Sequence, residues 1–247
     1  MNLTFSGSRA LVLGGSCELA LATAKAMIAS SLLPILTYRS ADGLGSINRA
    51  LQAHAGKYNT AYLNFTDRES LVSLFSQTGD ALDFIVDFAH GNYEVLVAQA
   101  DEDDVYSYFA ENVAFRATFL KMAGRLLLKK RKGRLVFVSS TAAERPNPGQ
   151  GFYAAAKLAS EALYRTLGLE LGGRGISTVI LRPGYVYAGR GRAYVEDRGQ
   201  KILESVPIQR ALTAEEIAKT ILYLISESAS GINAAVLTID GGFTYGK

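Results

Sequence analysis

Apolar and polar positions follow two different patterns along the chain. Seven runs of five or six mostly apolar or β-branched residues are separated by longer segments, in which apolar residues recur every three or four positions. Short buried runs are typical of parallel strands, and the periodic segments are typical of helices with one buried face. The pattern predicts strands at residues 9–13, 33–38, 60–64, 82–86, 134–139, 176–181 and 235–239.

The segments between these strands predict crossover helices. One follows a turn that begins at Gly14, and others are predicted at residues 68–76, 101–128, 152–172 and 215–227. The helix at 152–172 carries an apolar stripe, which predicts a face turned toward the core or toward a second subunit; its members are Ala156, Leu163, Leu167 and Leu171. We therefore expect an α/β, single-domain Rossmann fold: a doubly wound, seven-stranded parallel sheet with helices on both faces.

Composition limits the class of protein but does not change this fold. The 247 residues are 49% hydrophobic and contain no Pro/Ser-rich linker or internal repeat, so we predict one domain over residues 1–247. No run reaches the roughly 18 apolar residues of a membrane span, and the first residues do not resemble a signal peptide, so we expect a cytoplasmic protein. Its net charge of +3 gives no reason to expect nucleic acid. Cys17 is the only cysteine, which excludes an internal disulfide.

Candidate chemistry is concentrated at residues 133–157. The apolar strand there ends at Ser139 and Ser140, at the carboxyl edge of the sheet where ligands bind in open α/β folds. A turn rich in Pro and Gly follows, and the next helix carries Tyr153 and Lys157. These two side chains project from one face because they are four residues apart. A hydroxyl, a phenol and an ammonium can therefore meet at one place.

A tyrosine four residues before a lysine is a weak signal by itself, and its context makes it specific. Ser140 stands thirteen residues before Tyr153, Asn112 stands twenty-eight before Ser140, and the Gly14 turn opens the chain. Together these resemble the short-chain dehydrogenase/reductases along essentially the whole chain. The closest likeness is to the 3-oxoacyl thioester reductases, whose C-terminal pattern is similar to VPIQRALTAEEIAKTILYLISE and IDGG.

The resemblance implies a role for each of these residues. Tyr153 would donate a proton to a ketone oxygen that Ser140 holds, and Lys157 would lower the pKa of the phenol and bind the nicotinamide ribose. Asn112 would hold a water that links the lysine to solvent. The cofactor residues that the resemblance implies, besides Tyr153 and Lys157, are Gly14, Ser16, Cys17, Glu18, Leu19, Asn64, Phe65, Ala89, His90, Pro183, Gly184 and Val186.

Three cofactor loops depart from the family pattern. The GxxxGxG turn keeps Gly14 but has Glu18 and Ala20 at the other two positions, and Ala188 replaces a frequent threonine. The loop that usually reads Asn-Asn-Ala-Gly is 87-DFAH-90 here. Glu18 either points to solvent at the positive end of the helix or brings a carboxylate near the phosphates. His90 either titrates near neutrality and helps to move protons or is a hydrogen-bonded spacer.

The residues after the second strand favour NADP(H) over NAD(H). Arg39 and Ser40 suit a 2′-phosphate, and no acid stands where an NAD-type fold places one against the ribose. The alternative is that Arg39 is a solvated loop residue and that Asp42 supplies the acid.

Two further segments suggest contacts with the substrate or a partner. Residues 188–210 are expected to form a substrate lid, whose Gly/Arg-rich part at 189–199 would be mobile, and Arg190 and Arg192 could grip an anionic thioester. The basic run at 129–134 suits a helix end, with an acidic carrier protein or nucleic acid as the alternative.

The favoured function is NADPH-dependent reduction of a ketone to a secondary alcohol, or the reverse. A 3-oxoacyl thioester is the expected substrate class. Two alternatives remain: a reductase of a sugar or other polar ketone, and a noncatalytic subunit that assembles with an active partner. An enoyl reductase is disfavoured because its tyrosine would stand at Gln150, seven residues before Lys157. We expect a homo-oligomer, either a dimer or a tetramer, with a hetero-oligomer containing another family member as the alternative, and no metal.

Overall fold

A single parallel sheet of seven strands organises the protein. We describe a computed structural model, which places residues 3–78, 81–198 and 200–246. The strand order is β3-β2-β1-β4-β5-β6-β7 and every pair is parallel, which confirms the doubly wound sheet. The strands are β1 (Arg9–Leu13), β2 (Leu33–Tyr38), β3 (Asn59–Tyr62), β4 (Phe84–Asp87), β5 (Gly133–Val138), β6 (Ile176–Pro183) and β7 (Ala235–Ile239).

The order reverses between β1 and β4, which creates the crevice where such sheets bind ligands. The predicted bounds of β1, β2 and β7 are confirmed. The other strands differ from their predicted bounds by at most two residues at either end, because apolar patterning locates a buried run better than its hydrogen-bonded ends.

Helices cover both faces of the sheet. They are α1 (Glu18–Ala29), α2 (Ala41–Ala50), α3 (Arg68–Thr78), α4 (Glu102–Phe109), α5 (Phe115–Lys130), α6 (Gly151–Leu171), α7 (Gly189–Arg198), α8 (Gln200–Glu204) and α9 (Ala214–Ile225). One apolar core lies under α1 and α9, and the other under α3, α5 and α6. The α6 stripe faces the second core, where Leu163, Leu167 and Leu171 pack. These leucines are partly buried, so each contributes less than the about 1.5–3 kcal/mol that a fully buried leucine contributes.

The helix predicted at residues 101–128 is interrupted. A π-helical turn (Ala110–Ala114) separates α4 from α5. Such widened turns are rare and are frequent at functional sites. This turn carries Asn112, whose side chain is fully buried beneath the end of β4. The interruption therefore turns a polar side chain toward the sheet.

The basic run at residues 129–134 takes part in the fold. Lys129 and Lys130 lie in the last turn of α5, where cations oppose the negative end of the helix dipole. Lys130 pairs with Asp83 at 2.6 Å, and Lys132 donates to the carbonyl of Ser6. These contacts support the interpretation of the run as a helix end.

Candidate active site

A cavity of about 760 Å³ opens at the carboxyl ends of the central strands. Helix α7 and the segments that follow β4, β5 and β6 also line it. It brings together most of the residues that the sequence predicts for catalysis and cofactor binding. These are Cys17, Glu18, Leu19, Arg39, His90, Ser140, Tyr153, Lys157, Pro183, Gly184 and Val186.

Tyr153 and Lys157 enter the cavity from the first turns of α6. A turn that ends at Gly149, with φ of +87°, lets the chain reverse after β5 and start this helix. The Lys157 ammonium donates to the carbonyl of Val138 at 2.8 Å and lies 5.7 Å from the centre of the Tyr153 ring. The Ser140 hydroxyl lies within hydrogen-bonding reach of the phenol. The three groups therefore converge.

The electrostatics of this pair differ from the prediction made from sequence. Burial raises the pKa of the Tyr153 phenol, and the cation that most opposes this rise is Arg190, not Lys157. The Arg190 guanidinium lies 5.7 Å from the centre of the Tyr153 ring. Burial, with the nearby Arg116 charge, lowers the pKa of Lys157 to about 7. The pKa of Lys157 is thus lowered and that of Tyr153 is raised.

His90 touches Tyr153 edge-on. The two ring centres are 5.1 Å apart, and His90 Nε2 lies 2.9 Å from the Tyr108 hydroxyl. Burial and three neighbouring cations hold the pKa of His90 far below its ordinary value, so the ring is neutral at pH 7. Of the two alternatives for His90, this favours the hydrogen-bonded spacer over a group that titrates near neutrality. Its Nδ1 is buried without a hydrogen-bond partner among the described residues and can bind a polar group in the cavity.

The turn at Gly14 has the geometry that a dinucleotide requires. Gly14 has φ of +69°, and a Cβ there would come within 2.9 Å of the Ala89 amide nitrogen, so only glycine fits. Cys17 and Glu18, both exposed, start the twelve-residue helix α1 at the cavity. Amide groups at such a helix end bind pyrophosphate. The residues present therefore fit a nicotinamide dinucleotide.

The family is decided by comparison with known proteins. A family model described as Enoyl-(Acyl carrier protein) reductase matches residues 17–244. The 3-oxoacyl-(acyl-carrier-protein) reductase FabG of Salmonella typhimurium is 31% identical over 97% of this chain and 98% of its own. The chain belongs to the short-chain dehydrogenase/reductase family.

Other relatives agree with this assignment. The FabG of Escherichia coli is 30% identical over 97% of this chain and 98% of its own. A solved structure described as a short chain dehydrogenase/reductase family protein superposes with a TM-score of 0.87 at 26% identity, covering 98% of this chain and 99% of that one. The predicted family and fold are confirmed, and the protein is an oxidoreductase of this family.

Glu18, which replaces a family glycine, is paired in the structure. Its carboxylate lies 2.6 Å from the guanidinium of Arg192 on α7, and both side chains are a little under half exposed. The acid therefore does not stand alone beside the phosphate site. The Arg192 guanidinium also lies 5.4 Å from the centre of the Tyr187 ring, so it has two contacts within the protein.

This pairing predicts how Glu18 and Arg192 affect cofactor binding. Glu18→Gln should change the Kd for NADPH by less than about tenfold, because an exposed, screened charge contributes on the order of 1 kcal/mol or less. Arg192→Gln should weaken NADPH roughly three- to tenfold because it leaves the carboxylate uncompensated, and the double variant should return toward wild type. Fluorescence titration measures all three. Failure of wild type to bind NADPH, with binding restored in Glu18→Gln, would instead place the carboxylate in the phosphate site.

Seven predicted residues lie outside the cavity lining in the described structure. Ser40 caps α2 by accepting from the Gly43 amide at 3.1 Å, and Asn64 accepts from the Thr66 amide at 3.1 Å. The Phe65 ring packs on Phe115. Gly14 and Ala89 form the backbone of the crevice beneath the lining. The remaining two are Ser16, exposed in the turn before α1, and the buried Asn112.

The substrate side of the cavity is aromatic, and sequence reasoning missed it. Tyr185 stacks on Tyr194 with ring centres 5.8 Å apart, and Phe243 packs against Tyr185. Asn147 Nδ2 lies 3.4 Å from the Tyr194 hydroxyl. These residues come from the turn after β5, the segment after β6, helix α7 and the C-terminal segment. No local spacing connects them, and only the fold brings them together.

Three further observations concern the predicted lid, membrane spans and metal ligands. The predicted lid contains α7 and α8, and Gly199 lies outside the described residues. None of the helices in residues 3–78, 81–198 and 200–246 has the length and apolarity to cross a membrane. The same ranges contain no cluster of His, Cys, Asp and Glu that could hold a metal ion.

Proposed function

We propose that this protein reduces the ketone of a 3-oxoacyl thioester, or of a related ketone, with NADPH. The observation that carries this proposal is the convergence of Ser140, Tyr153 and Lys157 in one cavity, opposite the dinucleotide-type turn at Gly14. The FabG relatives, which match essentially the full chain, are named for reduction of 3-oxoacyl groups on acyl carrier protein.

Each side chain has a task in this reaction. A bound nicotinamide supplies hydride to the carbonyl carbon. Ser140 Oγ accepts from the Ala142 amide at 3.1 Å, which leaves the Ser140 proton free to hold the carbonyl oxygen. Tyr153 donates the proton that converts this oxygen to a hydroxyl, and Lys157 resupplies the proton and binds the nicotinamide ribose.

Enoyl reduction is disfavoured by the residue at the corresponding position. Gln150, seven residues before Lys157, has no ionisable proton, and its Oε1 accepts from the Asn147 amide at 3.0 Å. Because this side chain closes the turn before α6, it cannot serve as the acid. Carbonyl reduction by Tyr153 suits the site better.

Reduction of a polar ketone is a second candidate. The unpartnered Nδ1 of the neutral His90 ring can pair with a substrate hydroxyl or amide. A 3-oxoacyl chain has no such group beside its ketone. Comparing kcat/KM for an acetoacetyl thioester, a neutral aliphatic ketone and a hydroxyketone in the presence of NADPH tests both candidates. Turnover of none of these would refute the proposed reaction.

The preference for NADPH rests on Arg39. Its guanidinium lines the cavity, is 67% exposed and pairs with Glu111 at 2.8 Å. We predict that Arg39→Asp inverts the cofactor preference, because a carboxylate accepts from ribose hydroxyls and repels a 2′-phosphate. The measurement is the ratio of kcat/KM for NADPH to that for NADH. Arg49→Asp, on the exposed side of α2, is the matched control, and an unchanged ratio in Arg39→Asp would mean that the phosphate is read elsewhere.

Assembly into a dimer or tetramer and a cytoplasmic location stay predictions. Leu158 and Leu169 on α6 are exposed, and an exposed apolar face on a long helix suits contact with a second subunit. Light scattering of the purified protein tests the assembly, since a monomer at micromolar concentration would contradict it. Cell fractionation tests the location, and recovery with the membranes would contradict it.

A further inference from the structure

A buried ion pair lies behind the catalytic residues. Asp87 ends β4 and Arg116 lies in the first turn of α5, and their side chains are 0% and 1% exposed. Arg116 Nε donates to Asp87 Oδ2 at 2.9 Å, and the Tyr164 hydroxyl donates to the same oxygen at 2.9 Å. Burying two charges is costly even when they are paired, so the pair is weak support for stability and calls for another role.

The other donors of Arg116 tie three segments together. One terminal nitrogen donates to the Asn112 carbonyl and, at 3.0 Å, to Ser160 Oγ on α6. The other donates to the carbonyl of Ala89, next to His90. The guanidinium therefore connects the π-helical turn, the loop after β4 and the helix that carries Tyr153 and Lys157.

Arg116 also lies near the catalytic lysine. Its Cζ is 5.0 Å from the centre of the Phe137 ring, and Lys157 Nζ is 4.9 Å from the same centre, so the two cations are less than 10 Å apart. At that separation one charge changes the pKa of the other group by about one in a protein interior. The other ionisable groups that act on Lys157 or lie against it are Asp87 on β4, Tyr153 and Glu161 on α6, Arg190 on α7, His90 in the loop after β4 and Cys17 just before α1.

We propose that Arg116 is a positioning residue of this active site: it fixes the Asn112 turn against the end of β4, and its charge and that of Asp87 together control the charge of Lys157. The family resemblance implies a water on Asn112. Here the Asn112 carbonyl accepts a hydrogen bond from Arg116. Asn112 Oδ1 accepts from the Gly91 amide at 2.7 Å, and Asn112 Nδ2 donates to the Tyr108 carbonyl at 2.9 Å. A fixed guanidinium thus binds the Asn112 carbonyl and holds this turn in place. The proposal rests on the ketone reduction proposed above.

The test is the pH dependence of NADPH oxidation in a single turnover. The rate should fall as pH rises through the pKa of Lys157, because the ammonium is lost. Arg116→Met removes a cation, so the fall in rate should move to a pH about one unit higher. Asp87→Asn removes an anion, so the fall should move to lower pH. Arg116→Lys keeps the charge and should leave the fall in rate near its wild-type pH.

A second measurement is independent of turnover. Carbon-13 NMR titration of the lysine side chains in cofactor-free protein, assigned with Lys157→Arg, should show shifts of the Lys157 pKa in the same two directions. The proposal is overturned if Arg116→Met and Asp87→Asn change neither the pH at which the rate falls nor the pKa of Lys157 measured by NMR. Should Arg116→Met not fold, the nearly isosteric Asp87→Asn still decides it. Absence of turnover by wild type with every ketone would refute the proposed function while leaving the NMR result interpretable.

Discussion

Tyr153→Phe is expected to lower kcat for ketone reduction by roughly 10² to 10⁴, the usual contribution of general acid catalysis. Phenylalanine keeps the ring that packs edge-on against His90 and removes only the hydroxyl that faces Ser140. The Kd for NADPH should therefore stay within a few-fold of wild type. Steady-state kinetics and fluorescence titration separate the two effects.

A matched control is Tyr223→Phe, which removes a phenol from the surface of α9. It should leave both kcat and Kd near wild type. Unchanged turnover in Tyr153→Phe would remove this residue from the mechanism. Equal loss of turnover in both variants would point to a general effect on folding.

Lys157→Ala should lower both turnover and cofactor affinity. In the proposed reaction the ammonium returns a proton to Tyr153 and also donates hydrogen bonds to the nicotinamide ribose. A charge-assisted hydrogen bond of this kind contributes about 1.5–3 kcal/mol to binding. We expect kcat to fall by on the order of 10² or more and the Kd for NADPH to rise by about tenfold or more. The same two measurements as for Tyr153→Phe decide it, and the contrast between the variants distinguishes a proton donor from a residue with two tasks.

The control for this variant is Lys219→Ala on the exposed side of α9, which should change neither quantity. An unaltered Kd in Lys157→Ala, together with reduced kcat, would show that the ribose is held by other groups. An unaltered kcat would mean that Tyr153 receives its proton by a path that does not pass through Lys157.

Two of the departures from the family pattern are charged, and each meets an opposite charge in space. Glu18 in the glycine turn pairs with Arg192, 174 residues away, and Asp87 at the end of β4 pairs with Arg116. A carboxylate that remained alone at either place would repel phosphate or be buried without compensation, which is costly. The changes in the two loops are therefore matched elsewhere in the protein, which supports an active enzyme over a noncatalytic subunit.

Patterning alone located the strands, because a buried parallel strand must be apolar along its length and a crossover helix must be apolar on one face. The spacing of Tyr153 and Lys157 also placed them on one face of α6, since helix geometry is local. Asn112, Ser140 and the Gly14 turn were found through the family resemblance, from their spacing relative to Tyr153 and Lys157 along the chain.

Only the tertiary structure decided which charges meet. Arg116 is unremarkable in sequence, four residues after Asn112, yet its position beside Asp87 depends on how α5 packs against β4. The same holds for Arg192 beside Glu18 and for Arg190 beside Tyr153. Electrostatic interaction and desolvation depend on distance and burial, not on separation along the chain. The sequence therefore determined the fold and the catalytic residue types, and long-range packing determined their protonation and partners.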